Sequence, residues 1–385
     1  MAAMQVERRP RIYSIDLLRG VVLVMMALAH ARDFAGSSPN PGELLRAFLF
    51  FTRWLTHFVA PVCVFLAGTS AYLYGRRGKT PDEVSRYLFI RGLWLVFLEL
   101  TLVRWCWTFN IASGLVLLQV IWVTGWSMMA LSLLHRLPLN VLAVFSLAMI
   151  AGHNLLDGVT SEAVGWWWKL LHGFGPLPPL GNMKPFVGYA FIPWIGVMSA
   201  GYCFGPLVVE PAEQRRRAFL AIGSAAIVAF VLLRPTNFYG DPHVWRALPT
   251  SLETFLAFIN TQKYPPSLLF LLMTLGPAIL FLGVADDIKP GPVARQFITI
   301  GRVPLFYYLL HLPLVHAAVL ALAWFTHGNV GFLIDGFAPL APAPEPVSLP
   351  FVYLLWIATV LALLPACRWF AALKQRRTDW WLSYL

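Results

Sequence analysis

Apolar residues fall into long runs separated by short polar connections. The runs lie at about 13–34, 50–75, 87–108, 111–134, 138–155, 186–209, 217–234, 266–284, 302–325 and 349–370. At 1.5 Å per helical residue each can cross a hydrocarbon core of roughly 30 Å. The pattern predicts an all-α, polytopic membrane protein: a bundle of about ten transmembrane helices in a single domain over residues 1–385. Lys and Arg cluster in alternate connections. Arg8, Arg9 and Arg11 precede the first run, and Arg76, Arg77, Lys79 and Arg86 follow the second. Arg136 follows the fourth, Arg215, Arg216 and Arg217 the sixth, Lys289 and Arg295 the eighth, and Lys374, Arg376 and Arg377 the tenth. The other connections are poor in both, and 326–348 has neither. The positive-inside rule therefore predicts that both termini are cytoplasmic. Ala27-Leu28-Ala29 resembles a signal cleavage site, but Asp16 and Arg19 interrupt the approach to it. The first run is expected to be a permanent span.

Polar residues set into these runs are the candidates for chemistry. A charge at the bilayer centre costs on the order of 3 kcal/mol on insertion scales, and such side chains usually face a bundle interior or a polar cavity. At about 100° per residue, Asp16, Arg19 and His30 share one stripe of the first helix. Arg53 and His57, four apart, share a face of the second. Topology places Asp16 and Arg19 near the cytoplasmic surface and His30 close to the outer one. His57 lies roughly 10 Å below the outer surface. Arg91 stands at the inner end of the third helix, with Glu99 mid-membrane. His311 lies mid-membrane on the ninth helix, and His316 lies higher.

Histidine titrates near neutrality and suits a general base. The candidate catalytic set is His30, His57, Glu99 and His311, with Glu99 orienting a partner. Asp16, Arg19, Arg91 and Arg302 form the candidate donor-binding set, because guanidinium groups at the cytoplasmic end suit phosphates. His311 and His316 are five apart with Pro313 between them, not the i, i+4 spacing of a zinc helix, so no metal is expected there. Pro61 and Gly68 interrupt the second helix.

Composition narrows the classes. Of 385 residues, 58% are hydrophobic and 12% charged, about half the charge of a soluble domain. The aromatic share of 15% suits interfacial belts. The net charge of +11 is spread between apolar runs rather than gathered in a patch, which argues against nucleic-acid binding. The four cysteines, Cys63, Cys106, Cys203 and Cys367, form no CxxC pair and imply no disulfide framework. Soluble nucleotide-binding and serine-hydrolase signatures are absent. The longer outer connections, 156–185, 235–265 and the Pro-rich 326–348 with Asp335 and Glu345, suggest that the outer face meets a substrate.

Arg11-Ile-Tyr-Ser-Ile-Asp16-x-x-Arg19-Gly20, followed by Phe58-x-x-Pro61-x-x-x-Phe65-x-x-Gly68-x-Ser70, resembles the opening of the heparan-α-glucosaminide N-acetyltransferase catalytic-domain family. Bacterial members of unknown function are closer still. They share the pattern GRVPLFYYLLH and the ending Arg376-Arg377-x-Asp379-Trp-Trp-Leu-Ser-Tyr-Leu. The resemblance implies a transmembrane acyltransferase. Acetyl-CoA or another acyl-CoA would be supplied from the cytoplasm, and the acceptor would be a hydroxyl or amine of an extracytoplasmic sugar or glycan. One departure stands out. The lysosomal enzyme has a functional histidine between its first two helices, and residues 31–53 here contain none. His30 falls where that enzyme has an asparagine, and His57 where it has an aspartate. The resemblance thus leaves His30 or His57 as the base, with the bacterial inner membrane as the expected location and a homo-oligomer left open. A proton-coupled secondary transporter, or a membrane subunit without turnover, is the alternative. The absence of two related halves weighs against the transporter.

Overall fold

The computed structural model describes residues 12–35, 43–334, 347–377 and 379–385. Arg8, Arg9, Arg11, Asp335 and Glu345 lie outside the described residues. In chain order the helices open with α1 (Tyr13–Ala35), α2 (Glu43–Leu55), α3 (Val59–Gly75), α4 (Pro81–Leu98) and α5 (Arg104–Thr108). Strand β1 (Leu115–Leu118) leads into α6 (Val120–Leu134) and α7 (Leu139–Gly152). Short helices α8 (Ser161–Val164) and α9 (Trp168–His172) precede strands β2 (Gly175–Pro176) and β3 (Lys184–Val187). Then come α10 (Phe191–Val208), α11 (Ala212–Leu233), α12 (Ser251–Ile259), α13 (Leu268–Ala285) and α14 (Pro292–Gly301). The chain closes with α15 (Pro304–His327), α16 (Gly331–Ile334) and α17 (Leu349–Arg376).

The molecule is an all-α polytopic membrane protein with one small sheet. Among the described residues, eight helices are long and apolar enough to cross a bilayer, and α6 is a shorter apolar helix. The third expected span is helical from Pro81 to Thr108, α4 and α5 being joined by a π-helical turn over Glu99–Val103. The fourth is shorter than expected. Residues 111–119 are not helical: Phe109 adopts a left-handed φ of 48°, which ends α5, and Leu115–Leu118 pair in parallel with Lys184–Val187. A run of four apolar residues reads alike as strand or helix, so periodicity could not separate them. The same pairing delays the sixth expected span, whose helix begins at Phe191 rather than 186. Strand β2 completes the sheet, antiparallel to β3, in the order β1-β3-β2.

Helices meet backbone to backbone at reciprocal glycines. A Cβ on Gly20 of α1 would stand 1.9 Å from the Phe297 carbonyl oxygen of α14, and one on Gly301 would stand 1.9 Å from that of Asp16. Gly68 of α3 and Gly201 of α10 repeat the arrangement against Met198 and Phe65. Gly92 of α4 and Gly125 of α6 face each other's carbonyls at 2.5 and 2.6 Å. Between apolar helices in lipid there is no hydrophobic gain, so close backbone approach and dispersion carry the packing. These pairs, with α11 against α13, are the most closely packed in the molecule.

The two ends of the bundle differ. At one, Ser14 donates to Asp286 at 3.1 Å, Arg215 pairs with the same carboxylate, and Arg136 reaches Asp82. This basic end gathers the Arg-rich connections. At the opposite, loop end lie the sheet, α8, α9, α12 and the long connections. There Arg234, 2% exposed, donates to the carbonyls of His243, Ala257, Phe258 and Asn260.

Candidate active site

Pro61 lacks the N–H that would bond the carbonyl of His57, and the chain tightens there into a 3-10 turn over Thr56–Phe58. That turn presents His57, 2% exposed, to a cavity of about 280 Å³ at the loop end. Both ring nitrogens of His57 lack a hydrogen-bond partner, and its ring rests 5.4 Å from that of Phe270. An unpaired buried polar atom costs about 1–3 kcal/mol, and a water or ligand polar group in the cavity would offset that cost at His57.

His30, from the end of α1, lines the same cavity. Its Nδ1 is 2.7 Å from Nε2 of His311, and Nδ1 of His311 is 3.0 Å from the carbonyl oxygen of Tyr307. A carbonyl can only accept, so Nδ1 of His311 holds a hydrogen and its Nε2 holds a lone pair. His30 must then donate from Nδ1, which leaves the lone pair on Nε2. Trp107 packs edge-on to the His30 ring at 5.2 Å and forms another wall. His311, fully buried, stands behind His30 as the group that sets its tautomer.

The remaining walls carry charge and aromatic rings. Arg32 and Asp33 pair at 2.6 Å, Arg53 lies on the preceding turn from His57, and Lys263 stands 5.0 Å over the Tyr264 ring. Phe174, Phe186 and Tyr189 come from the sheet region. Burial beside Tyr264 pushes the Tyr189 phenol well above its usual range, so it stays a hydrogen-bond donor.

Glu99 is 1% exposed and is not one of the residues that line this cavity. It starts the π turn, and its Oε2 accepts from the Trp122 amide at 3.2 Å. A carboxylate there satisfies the first turn of α6 and complements its dipole. Gln119 and Val120, which open that turn, line the cavity, so Glu99 steadies its wall from behind. Arg104 donates to the carbonyls of Leu115 and Ser113. Arg91, of the expected donor-binding set, stands over the Tyr87 ring at 5.8 Å. His316 sits in a ring sandwich between Phe34 and Phe109 and bonds the Cys106 carbonyl.

At the basic end Asp16, 3% exposed, lies 3.4 Å from Arg19 and 3.7 Å from Arg302. Arg19 also donates to Ser70 and to the Gly301 carbonyl. Three of the four expected donor-binding residues thus form one cluster at the crossing of α1 and α14. A second cavity at this end, about 460 Å³, is lined by Arg76, Lys79, His135 and Arg136 with Tyr72 and Tyr202.

The family model for the heparan-alpha-glucosaminide N-acetyltransferase catalytic domain matches residues 11–237. That is more than half of the chain. The protein belongs to this family. A search of curated proteins finds no match. As a member of the heparan-alpha-glucosaminide N-acetyltransferase catalytic family, the chain is an integral, multi-pass membrane protein of an acetyltransferase class. His30, His57, Glu99, Asp16, Arg19 and Arg91 lie inside the matched region, whereas His311, Arg302, Lys263 and Tyr264 lie beyond it. The cavity thus joins the family's core to the C-terminal part of the chain. Depth and residue type anticipated His30 and His57. Trp107, Tyr189 and Tyr264 were not anticipated, since aromatic residues are abundant throughout and nothing in their spacing sets these apart.

Proposed function

We propose that this protein moves an acetyl or similar acyl group from an acyl-CoA to a hydroxyl or amine of a sugar or glycan, with His30 as general base. The observation that carries this reading is the ordered hydrogen-bond chain from the Tyr307 carbonyl through His311 to His30, ending on a lone pair in a ligand-sized cavity. His30 Nε2 takes the acceptor's proton as the acceptor atom bonds to the thioester carbonyl carbon. The C–S bond then breaks, and the departing thiolate recovers that proton. Arg32, Arg53 and Lys263 supply positive charge near the carbonyl oxygen as it becomes an anion, and His57 hydrogen-bonds the acceptor.

The basic end faces the cytoplasm in this reading, as the distribution of Lys and Arg supports. The donor's phosphates bind there, at Arg19, Arg91 and Arg302, with Asp16 holding two of the guanidinium groups. Eleven residues of α1 separate Arg19 from His30, about 16 Å of helix, a span suited to an extended pantetheine arm. The setting is the inner membrane of a bacterium, and the acceptor is extracytoplasmic.

The test uses purified protein in nanodiscs with acetyl-CoA and a panel of amino sugars and glycans, reading free thiol. Wild type is expected to release CoA in an acceptor-dependent manner. His30→Ala is expected to bind donor yet lose thiol release by about 10²–10⁴-fold. Folded wild-type protein that neither binds acetyl-CoA nor releases thiol would overturn the reading and direct attention to proton-coupled uptake.

A further inference from the structure

A second histidine pair lies at the loop end, outside the cavity. His153 begins the 3-10 turn that ends α7, and His172 closes α9. Both are buried, at 2% and 5% exposure. His153 Nδ1 is 2.9 Å from His172 Nε2, and that nitrogen is 3.8 Å from Oδ1 of Asp157. One nitrogen from each ring and one carboxylate oxygen all lie within 4.8 Å of one another.

A hydrogen bond between the rings leaves Oδ1 of Asp157 out of the group and His153 Nε2 buried with no hydrogen-bond partner. If His153 Nδ1 donates, the His172 Nε2 lone pair accepts that hydrogen, and Oδ1 of Asp157, 3.8 Å away, stays outside the bond. If His172 Nε2 donates to His153, it cannot also reach Asp157, because 3.8 Å is beyond a hydrogen bond. With each ring carrying its hydrogen on its other nitrogen, all three atoms present lone pairs, and a cation at their centre satisfies all three. The edges of a tetrahedral zinc site with bonds of about 2.0–2.1 Å measure about 3.3 Å, between the two distances found here.

The surroundings have the form of a supporting shell. The second carboxylate oxygen of Asp157 accepts from the Asn154 side-chain amide at 2.8 Å, which fixes the carboxylate's orientation. The Asn154 oxygen accepts from the Leu268 amide at 2.8 Å, tying the cluster to the first turn of α13. Trp168 Nε1 donates to the Val159 carbonyl and holds α9 against the turn that carries Asp157.

We propose that His153, Asp157 and His172 form a structural site for one divalent metal ion of the Zn²⁺ class, with water in the fourth position. Two imidazoles and a carboxylate are ligand types that zinc accepts, and both histidines are buried. Its role follows from its neighbours in sequence. Phe174, two residues after His172, is a wall of the cavity and stacks on Tyr264 at 4.9 Å. The ion ties the end of α7 to the segment that shapes that wall.

The experiment uses the full chain, purified through a histidine-free tag, stripped with chelator and exposed to Zn²⁺ or Co²⁺. Wild type is expected to retain one equivalent of zinc after desalting and to give intense visible Co²⁺ bands of tetrahedral type. The His153→Gln/His172→Gln double variant is expected to lose both. Asp157→Asn should weaken binding at least tenfold, and His243→Ala, on an exposed neighbour, should leave it unchanged. No retained metal in wild type, weak octahedral Co²⁺ bands, or full retention in a folded double variant would overturn the proposal. If the double variant fails to fold, the wild-type Co²⁺ spectrum together with the Asp157→Asn affinity decides the matter, and an unchanged affinity in Asp157→Asn overturns the assignment.

Discussion

Two buried clusters of ionisable groups, one at the α1–α14 crossing and one at the loop-end cavity, are treated oppositely. At the basic end Asp16 sits between Arg19 and Arg302, and Arg19 is further tied to Ser70 and the Gly301 carbonyl. Opposite charges compensate one another at a helix crossing too tight for a Cβ. At the loop end His57 has neither ring nitrogen paired, and the His311–His30 chain stops on a lone pair. One end uses polar groups to hold helices together. The cavity at the other keeps the hydrogen-bonding capacity of His57 and His30 in reserve, the condition of a site that awaits a ligand. Buried charge is therefore a poor guide to function until its partners are known.

The sharpest way to break this contrast is at His30. His30→Ala should lower thiol release by about 10²–10⁴-fold while leaving the melting temperature in nanodiscs near that of wild type. A large drop in melting with activity per folded molecule intact would make the two ends alike. Next in size is Gly301→Val. Its side chain meets the Asp16 carbonyl, so a loss of about 3 kcal/mol or more is expected, seen as a lower thermal midpoint or loss of the monodisperse peak. Asp16→Asn should cost about 1–3 kcal/mol, because it removes the charge between two guanidinium groups. Donor KM, measured alongside, should rise several-fold if the same arginines hold phosphate. The smallest effect is the most telling. His57→Phe should raise stability by about 1 kcal/mol, by removing two unpaired buried nitrogens, and lower turnover with acceptor about tenfold.

The basic end was the more legible in the sequence. Asp16, Arg19 and Gly20 lie within five residues, and one helical turn brings them to one crossing. Arg302 follows Gly301, the glycine that completes it. Length and hydropathy marked the long helices directly. Residues 111–119 were missed because strand pairing with 184–187 is a contact across the chain that local pattern does not carry. At the loop end His30 and His57 stood out as polar residues in apolar runs. Their surroundings did not, since Lys263, Tyr264 and Tyr189 come from connections whose course depends on tertiary packing. Glu99 was legible as buried but not as the group that ends on the α6 amides. His153 and His172 are 19 residues apart, a spacing that matches no metal motif, and only the fold of α9 against α7 brings them into contact.

The glycine crossings carry a mechanical consequence. A contact between two backbones has no side chain that can change rotamer, so it either holds or separates. The α1–α14, α3–α10 and α4–α6 pairs therefore behave as stiff units, and displacement is confined to the seams between them. The cavity draws its walls from α1, the start of α3, the first residue of α6 and the turn leading into α13. Those seams converge on it. A few degrees of tilt of one stiff pair against the next would widen or narrow the passage to His30, with every locked crossing left intact.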